Sequence, residues 1–295
     1  MGQTGKDPFD GFRKQKDYLV CIDSDGCAMD TMDIKHFKCF GPCMVDEWGL
    51  ENRRKDVLEQ WNRVNLYSMT RGINRFKALA IVLEWVSNTY DRVPGLEMLL
   101  RWTGEADQLS EAALDQAVCA GRGQDICADR TPDLTCLEKA LRWSKTVNRE
   151  ISQLPKGGML PFPGVKEGIM LIHQYADIAI VSSANPDAVA EEWGRHGLIA
   201  DVDIMLAQNA GSKASCIRNL LAYGYSRNHV MMVGDAPGDC HAAGDNGVRF
   251  YPILVSHEYE SWKDITKAVR RLTDGSFTMD YQKQLLDGFE RNLQG

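Results

Sequence analysis

The sequence predicts an α/β protein in which a parallel sheet is interrupted, after its first strand, by a long all-helical insertion. Three observations predict it. The run Tyr18-Leu19-Val20-Cys21-Ile22 is apolar without polar alternation and breaks off at Asp23-Ser24-Asp25-Gly26, as a strand covered on both faces does when it ends in a loop. Near the other end, His229-Val230-Met231-Met232-Val233 stops at Gly234-Asp235-Ala236-Pro237-Gly238-Asp239, repeating the design. Finally, about 155 residues separate Gly26 from Ser182, far beyond any loop, whereas about 30 separate Ser182 from Lys213, room for one helix and one strand.

The first strand ends in two carboxylates one residue apart. An Asx-type turn would account for them, but burying an unpaired carboxylate costs several kcal/mol and a like-charged neighbour adds to that. A divalent cation removes the cost. Helical patterning in the insertion covers 52–64, 75–85, 110–120 and 131–151. In the last of these Thr131 is the expected cap and Pro132 the first helical residue. Leu134, Leu137, Leu141, Val147 and Ile151 follow on nearly one face. Arg92-Val93-Pro94-Gly95 and Gly121-Arg122-Gly123 separate these helices, and Gly157-Gly158 with Pro161-Phe162-Pro163-Gly164 marks the return to the sheet. Arg71-Gly72-Ile73-Asn74-Arg75 joins two helices in a turn able to present a guanidinium to an anion, the alternative being a solvated basic loop. For Lys35 and His36 the solvated loop is the expectation.

The next strand, Ile178-Ala179-Ile180-Val181, ends at Ser182-Ser183-Ala184-Asn185-Pro186. A hydroxyl there is placed to hold an anionic oxygen or simply to cap the turn, and Asn185-Pro186 opens a helix. Ser212 is expected to cap a helix whose first turn carries Lys213, a cation at the positive end of the helix dipole and so a small broken rule of the kind functional sites show. After the fourth strand, Pro237 suits the first turn of a helix, with Asp235 at its cap and Asp239 one turn on. Four carboxylates, Asp23, Asp25, Asp235 and Asp239, are then expected to converge in an oxygen-rich cluster suited to Mg2+. Amphipathic helices over 262–272 and 281–293 close the chain.

Asp-x-Asp-Gly after the first strand, Ser after a middle strand, Lys opening a later helix and Gly-Asp-x-x-x-Asp after a fourth strand occur in this order. The pattern resembles the haloacid dehalogenase superfamily, over roughly the first 30 residues and 162–254. The resemblance implies a Rossmann-like core at 1–30 and 158–257, a helical cap at 31–157 that selects the substrate, and C-terminal helices at 258–295 packed on the core. It implies that Asp23 is a nucleophile forming an aspartyl-phosphate. Asp25 would be the general acid/base, and Mg2+ would be held by Asp23, the backbone carbonyl of Asp25, and Asp235 or Asp239. Lys213 and Ser182 would serve the phosphoryl oxygens, with Ser183 also binding substrate, while Arg71 is a candidate for the leaving group only through the turn described above. An acid at position 25 argues for phosphate esters, because halide needs no proton on leaving. The implied activity is a phosphatase for a small phosphorylated metabolite. Its alternatives are a phosphomutase resembling the β-phosphoglucomutase branch, and a binding protein that keeps the fold without turnover.

Composition fits an enzyme of this kind. The chain has 295 residues, 44% hydrophobic and 25% charged, enough for a core plus a second domain. A net charge of −7 does not favour a nucleic-acid backbone as partner. Residues 1–16 are polar, with no signal-like or spanning run, and position 6 carries Lys6 where a myristoylation motif starting at Gly2 needs Ser or Thr, which argues against myristoylation. The nine cysteines form no framework of pairs, which points to a reducing, cytoplasmic setting. Cys39 and Cys43 lack the second pair a zinc site needs, and Cys21, Cys27 and Cys240 are expected as packing residues. A monomer or homodimer is expected.

Overall fold

The computed structural model describes residues 7–123 and 133–294. Its sheet is built from β1 (Tyr18–Ile22), β2 (Ala176–Val181), β3 (Ile204–Leu206), β4 (Val230–Gly234) and β5 (Arg249–Pro252), in the order β3-β2-β1-β4-β5. All pairings are parallel, and Ile22 lies level with Ile180 of β2 and Val233 of β4. The chain runs outward from β1 through β2 to β3, then returns to the far side of β1. In open α/β sheets that reversal opens a crevice at the carboxyl ends of the strands, where ligands bind.

The missing polar alternation in β1 has a direct cause. Val20 and Ile22 enter one apolar cluster with Ile178, Ile180, Met231 and Val233, while Leu19 and Cys21 enter the opposite one with Val181, Val230 and Met232. Residues 19–22 are fully buried. Each such side chain contributes roughly 1.5–3 kcal/mol through removal from water.

The chain divides into two compact units: residues up to Met32 together with Lys156 onward, and Asp33–Pro155. The second unit is helical. It follows α1 (Met32–Lys35) and a π-helical turn at His36–Phe40 with α2 (Gly41–Trp48), α3 (Arg54–Leu66), α4 (Arg75–Thr89), α5 (Leu96–Glu105), α6 (Glu111–Gly123) and α7 (Thr135–Gln153). Its core is aromatic: Trp61 and Trp143 are fully buried and meet edge to face at 5.8 Å. Helix α7 buries Leu137, Leu141 and Val147 along the stripe the sequence predicts, and the expected cap at Thr131 and Pro132 lies outside the described residues.

Two helices of this unit escape sequence patterning. Helix α2 begins at Gly41-Pro42, where a proline in the first turn of a helix forgoes an N–H that has no intrahelical partner. Helix α5 starts directly behind the turn signal at Gly95, whose φ of +71° supplies the left-handed corner.

In the first unit, α8 (Val165–Tyr175), α9 (Pro186–Arg195) and α12 (Glu258–Thr273) bury Ile169, Trp193 and Trp262 against one face of the sheet. Helices α10 (Lys213–Leu221), α11 (Pro237–Asn246) and α13 (Met279–Gln294) bury Ile217, Ala243 and Phe289 against the other. Both C-terminal helices thus belong to the sheet's own unit. Among the described residues no helix is long and apolar enough to cross a membrane.

Candidate active site

The backbone of Asp23 continues the ladder of β1, its N–H donating to the carbonyl of Val233 at 3.0 Å, and its side chain emerges at the carboxyl edge of the sheet. Asp235 follows β4, and Asp239 lies in the first turn of α11. One carboxylate oxygen from each of the three lies within 4.8 Å of the others, and all three residues are buried. The ammonium of Lys213 reaches Asp23 Oδ2 at 2.9 Å and Asp239 Oδ1 at 2.5 Å. Lys213 is the first residue of α10, behind Ser212, whose hydroxyl accepts from the Ser215 N–H at 3.2 Å. The dipole cost of a cation there is a few tenths to about 1 kcal/mol. Two charge-assisted hydrogen bonds outweigh it.

The expected cap of α11 needs correction. Asp235 is not the cap; Ala236 is, since Pro237 takes the first helical position and places the cap one residue before itself. Asp239 is then the third helical residue, and its Oδ2 accepts from the Ala236 N–H at 3.1 Å. With Oδ1 on Lys213, both Asp239 oxygens have protein donors.

Gly234 is required by this turn, because a Cβ placed on it would run into the Asp239 side chain. Gly234→Ala is therefore expected to destabilise the protein by about 1–3 kcal/mol, as overpacking does, and to displace Asp239. Denaturant unfolding checks this, and a midpoint equal to wild type would mean that Asp239 relaxes freely.

Burial pushes the Asp23 carboxyl well up from its ordinary range; Lys213 pulls it down, and the carboxylates of Asp239 and Asp235 push it up again. Burial alone would lower the Lys213 ammonium, but Asp23 and Asp239 outweigh that and hold it above its ordinary value. Two of the three carboxylates thus share one cation. The thiol of neighbouring Cys27 is raised by burial and then by the same acids, which keeps it protonated and inert, a packing residue. An all-oxygen, buried and anionic donor set fits a hard divalent ion such as Mg2+.

Asp25 does not join the trio, so the four expected carboxylates are three. Gly26, at φ +80°, turns the chain back, its N–H bonding the Met29 carbonyl at 2.9 Å. The Asp25 Oδ1 accepts from the buried Thr31 hydroxyl at 2.5 Å. Thr31 had no sequence signal, because its role arises only from this six-residue return. The same turn is held from below by Trp262, whose indole N–H donates to the Cys27 carbonyl at 2.9 Å.

Ser182 follows β2 and is buried, its hydroxyl oxygen accepting from the Ala184 N–H at 3.1 Å. Ser183 is exposed. Arg71 lies in the helical unit, buried, with its guanidinium donating to the Leu66 carbonyl at 2.8 Å. Lys35 and His36, expected in a solvated loop, sit instead on the helical stretch that enters this unit. Lys35 is buried, and the His36 Nδ1 accepts from the Trp61 indole at 3.0 Å.

Residues 118–253 match the family model of the haloacid dehalogenase-like hydrolases, a stretch holding Ser182, Lys213, Asp235 and Asp239 but not β1. Over this stretch the chain is similar to the haloacid dehalogenase-like hydrolases. A protein from Lactobacillus delbrueckii subsp. bulgaricus, provisionally assigned as a phosphoglycolate phosphatase, shares the fold with a TM-score of 0.51 at 13% identity, over 86% of this chain and 99% of its own. A provisionally assigned β-phosphoglucomutase from Thermotoga maritima gives 0.49 at 14% identity, over 86% and 99%. A haloacid dehalogenase-like family hydrolase from Xanthomonas campestris gives 0.49 at 14% identity, over 90% and 94%. No curated protein sequence matches the chain.

Proposed function

We propose that the chain is a Mg2+-dependent phosphatase for a small phosphorylated metabolite, acting through an aspartyl-phosphate on Asp23. The observation that carries this reading is the buried trio of Asp23, Asp235 and Asp239, with Lys213 bonded to Asp23 and Asp239. Three converging carboxylates at a sheet's carboxyl edge serve no packing purpose, since each is costly to bury. Asp23 and Asp235 would hold the cation directly with the backbone carbonyl of Asp25, while Asp239, with both oxygens occupied, would support it and hold Lys213. Bound there, Mg2+ would offset the repulsion between the carboxylates and an incoming phosphate.

The remaining work falls to the chain's own groups. An Asp23 carboxylate oxygen attacks phosphorus, and the ester oxygen leaves with a proton from Asp25. Asp25 then takes a proton from the water that attacks the same phosphorus, which returns Asp23 as carboxylate and releases inorganic phosphate. General acid/base help of this kind is worth about 10²–10⁴-fold. Lys213 sits against the attacking carboxylate and stabilises the charge gathering on the phosphoryl oxygens. The Ser182 hydroxyl, its oxygen already accepting from Ala184, has its proton to donate to one of them. Ser183 is assigned to the rim. The eight described cysteines, all free thiols, suit a cytoplasmic enzyme.

Phosphate release from a panel of phosphorylated metabolites, with and without Mg2+, tests the reading. Metal-dependent release by wild type is expected, with selectivity that identifies the leaving group. Isomerised sugar phosphate with no free phosphate would replace the phosphatase by a mutase, and no turnover of any compound would sink both.

A further inference from the structure

Ser24, between the two acids, is fully buried among apolar side chains, and its Oγ accepts from the indole N–H of Trp193 at 3.0 Å. Trp193 is also fully buried and lies on α9, the helix that begins three residues beyond Ser182 and its neighbour. Serine and tryptophan each bring a polar atom into the apolar layer, and each satisfies the other. Packing alone would be served by an aliphatic residue at 24 and a phenylalanine at 193. The backbone of Ser24 is the hub of the catalytic turn. Its carbonyl accepts from the Cys27, Ala28 and Met29 amides at 3.3, 3.0 and 2.8 Å. A side chain pinned at Ser24 therefore sets the course of the chain into Asp23 on one side and Asp25 on the other.

We infer that Trp193 is a positioning residue for this reaction: through Ser24 it holds the turn that aims Asp25 at the leaving oxygen while Asp23 faces phosphorus. The inference rests on the phosphatase reading for its chemistry and on the hydrogen bond for its geometry. The bond joins β1's loop to the helix behind β2, so the acid/base and the Ser182 loop are set by one interaction. Angular errors at a proton-transferring group cost rate without costing affinity.

The test uses the full chain and two phosphate esters of unlike leaving groups, an alkyl phosphate and p-nitrophenyl phosphate, whose nitrophenolate leaves without needing a proton. Trp193→Phe keeps the ring and removes the donor; Ser24→Ala removes the acceptor. Each is expected to lower kcat/KM for the alkyl ester about tenfold and kcat/KM for p-nitrophenyl phosphate much less, because that ratio ends at formation of the aspartyl-phosphate, before Asp25 serves both esters as base. The double variant should be no worse than either single one, and Ser24→Thr should restore activity. In parallel, hydrogen exchange of the Ala28 and Met29 amides should quicken about tenfold in both variants, while exchange within α12 stays as in wild type. Equal losses on both esters with unchanged amide exchange would overturn the inference, as would additive losses. If wild type and Asp23→Asn release equally little phosphate, the phosphatase reading fails by itself. The exchange rates then decide whether Trp193 sets the turn.

Discussion

Asp23→Asn is expected to lower phosphate release by at least about four orders of magnitude, because an amide neither attacks phosphorus nor leaves as a carboxylate. It is also expected to make the metal-free protein more stable near neutral pH. In the folded chain the Asp23 carboxyl is raised by burial, with Asp239 and Asp235 adding to the shift against the pull of Lys213. Below the ordinary carboxylate value of about 4 both folded and unfolded chains are protonated there, and no penalty exists. As pH rises from that value toward the raised one, the folded chain keeps a proton that the unfolded chain has lost, so stability falls. Thermal unfolding of metal-free wild type should therefore weaken as pH climbs from about 4 to neutrality, and the asparagine variant should lack this part of the slope. Added Mg2+ should stabilise wild type more than the variant. Identical pH profiles, or turnover within tenfold of wild type, would remove Asp23 from its role.

Lys213→Met should have the second large effect, and on stability before activity. The ammonium bonds two of three buried carboxylates, at 2.9 and 2.5 Å. A methionine fills similar length but leaves those acids without a neighbouring cation, Asp239 keeping only the Ala236 N–H. Removing one member of a buried ion pair costs about 3–5 kcal/mol, since the desolvated partner charge remains. The loss should shrink on acidification, as the carboxylates take up protons, and on adding Mg2+, which supplies the missing positive charge. Denaturant titrations at two pH values, each with and without the metal, measure all of this. A metal-free variant as stable as wild type at neutral pH would mean that a proton already balances the cluster and that Lys213 serves the substrate alone. Turnover should fall in either case, because the lysine also meets the phosphoryl oxygens.

Much of this site was legible in the chain before folding was considered. Apolar runs without alternation at 19–22, 178–181 and 230–233 could only be strands covered on both faces. Acids or a serine directly behind them had to gather at one edge, because parallel strands carry their ends together. Ser212 as cap and Lys213 in the first turn follow from local rules, since capping is decided within four residues. The amphipathic stripe of α7 was visible for the same reason, as its period belongs to the helix itself.

What local rules could not supply were the contacts that cross the chain. Asp235 was misplaced by one residue as a cap, a small error with a local cause, but the split of four acids into a trio and a separate Asp25 depends on the return of the chain at Gly26. Thr31, Trp193 and Trp262 carry no motif, and they matter only because the turn after β1 is folded against α9 and α12. The buried state of Lys35 and Arg71 likewise comes from helices packing around them, which no window of neighbouring residues records. Residue type and spacing determined the strands, the caps and the acidic chemistry of this protein. Tertiary structure alone decided which carboxylates converge and which stands apart, because distance and desolvation are set by packing between segments far apart in sequence.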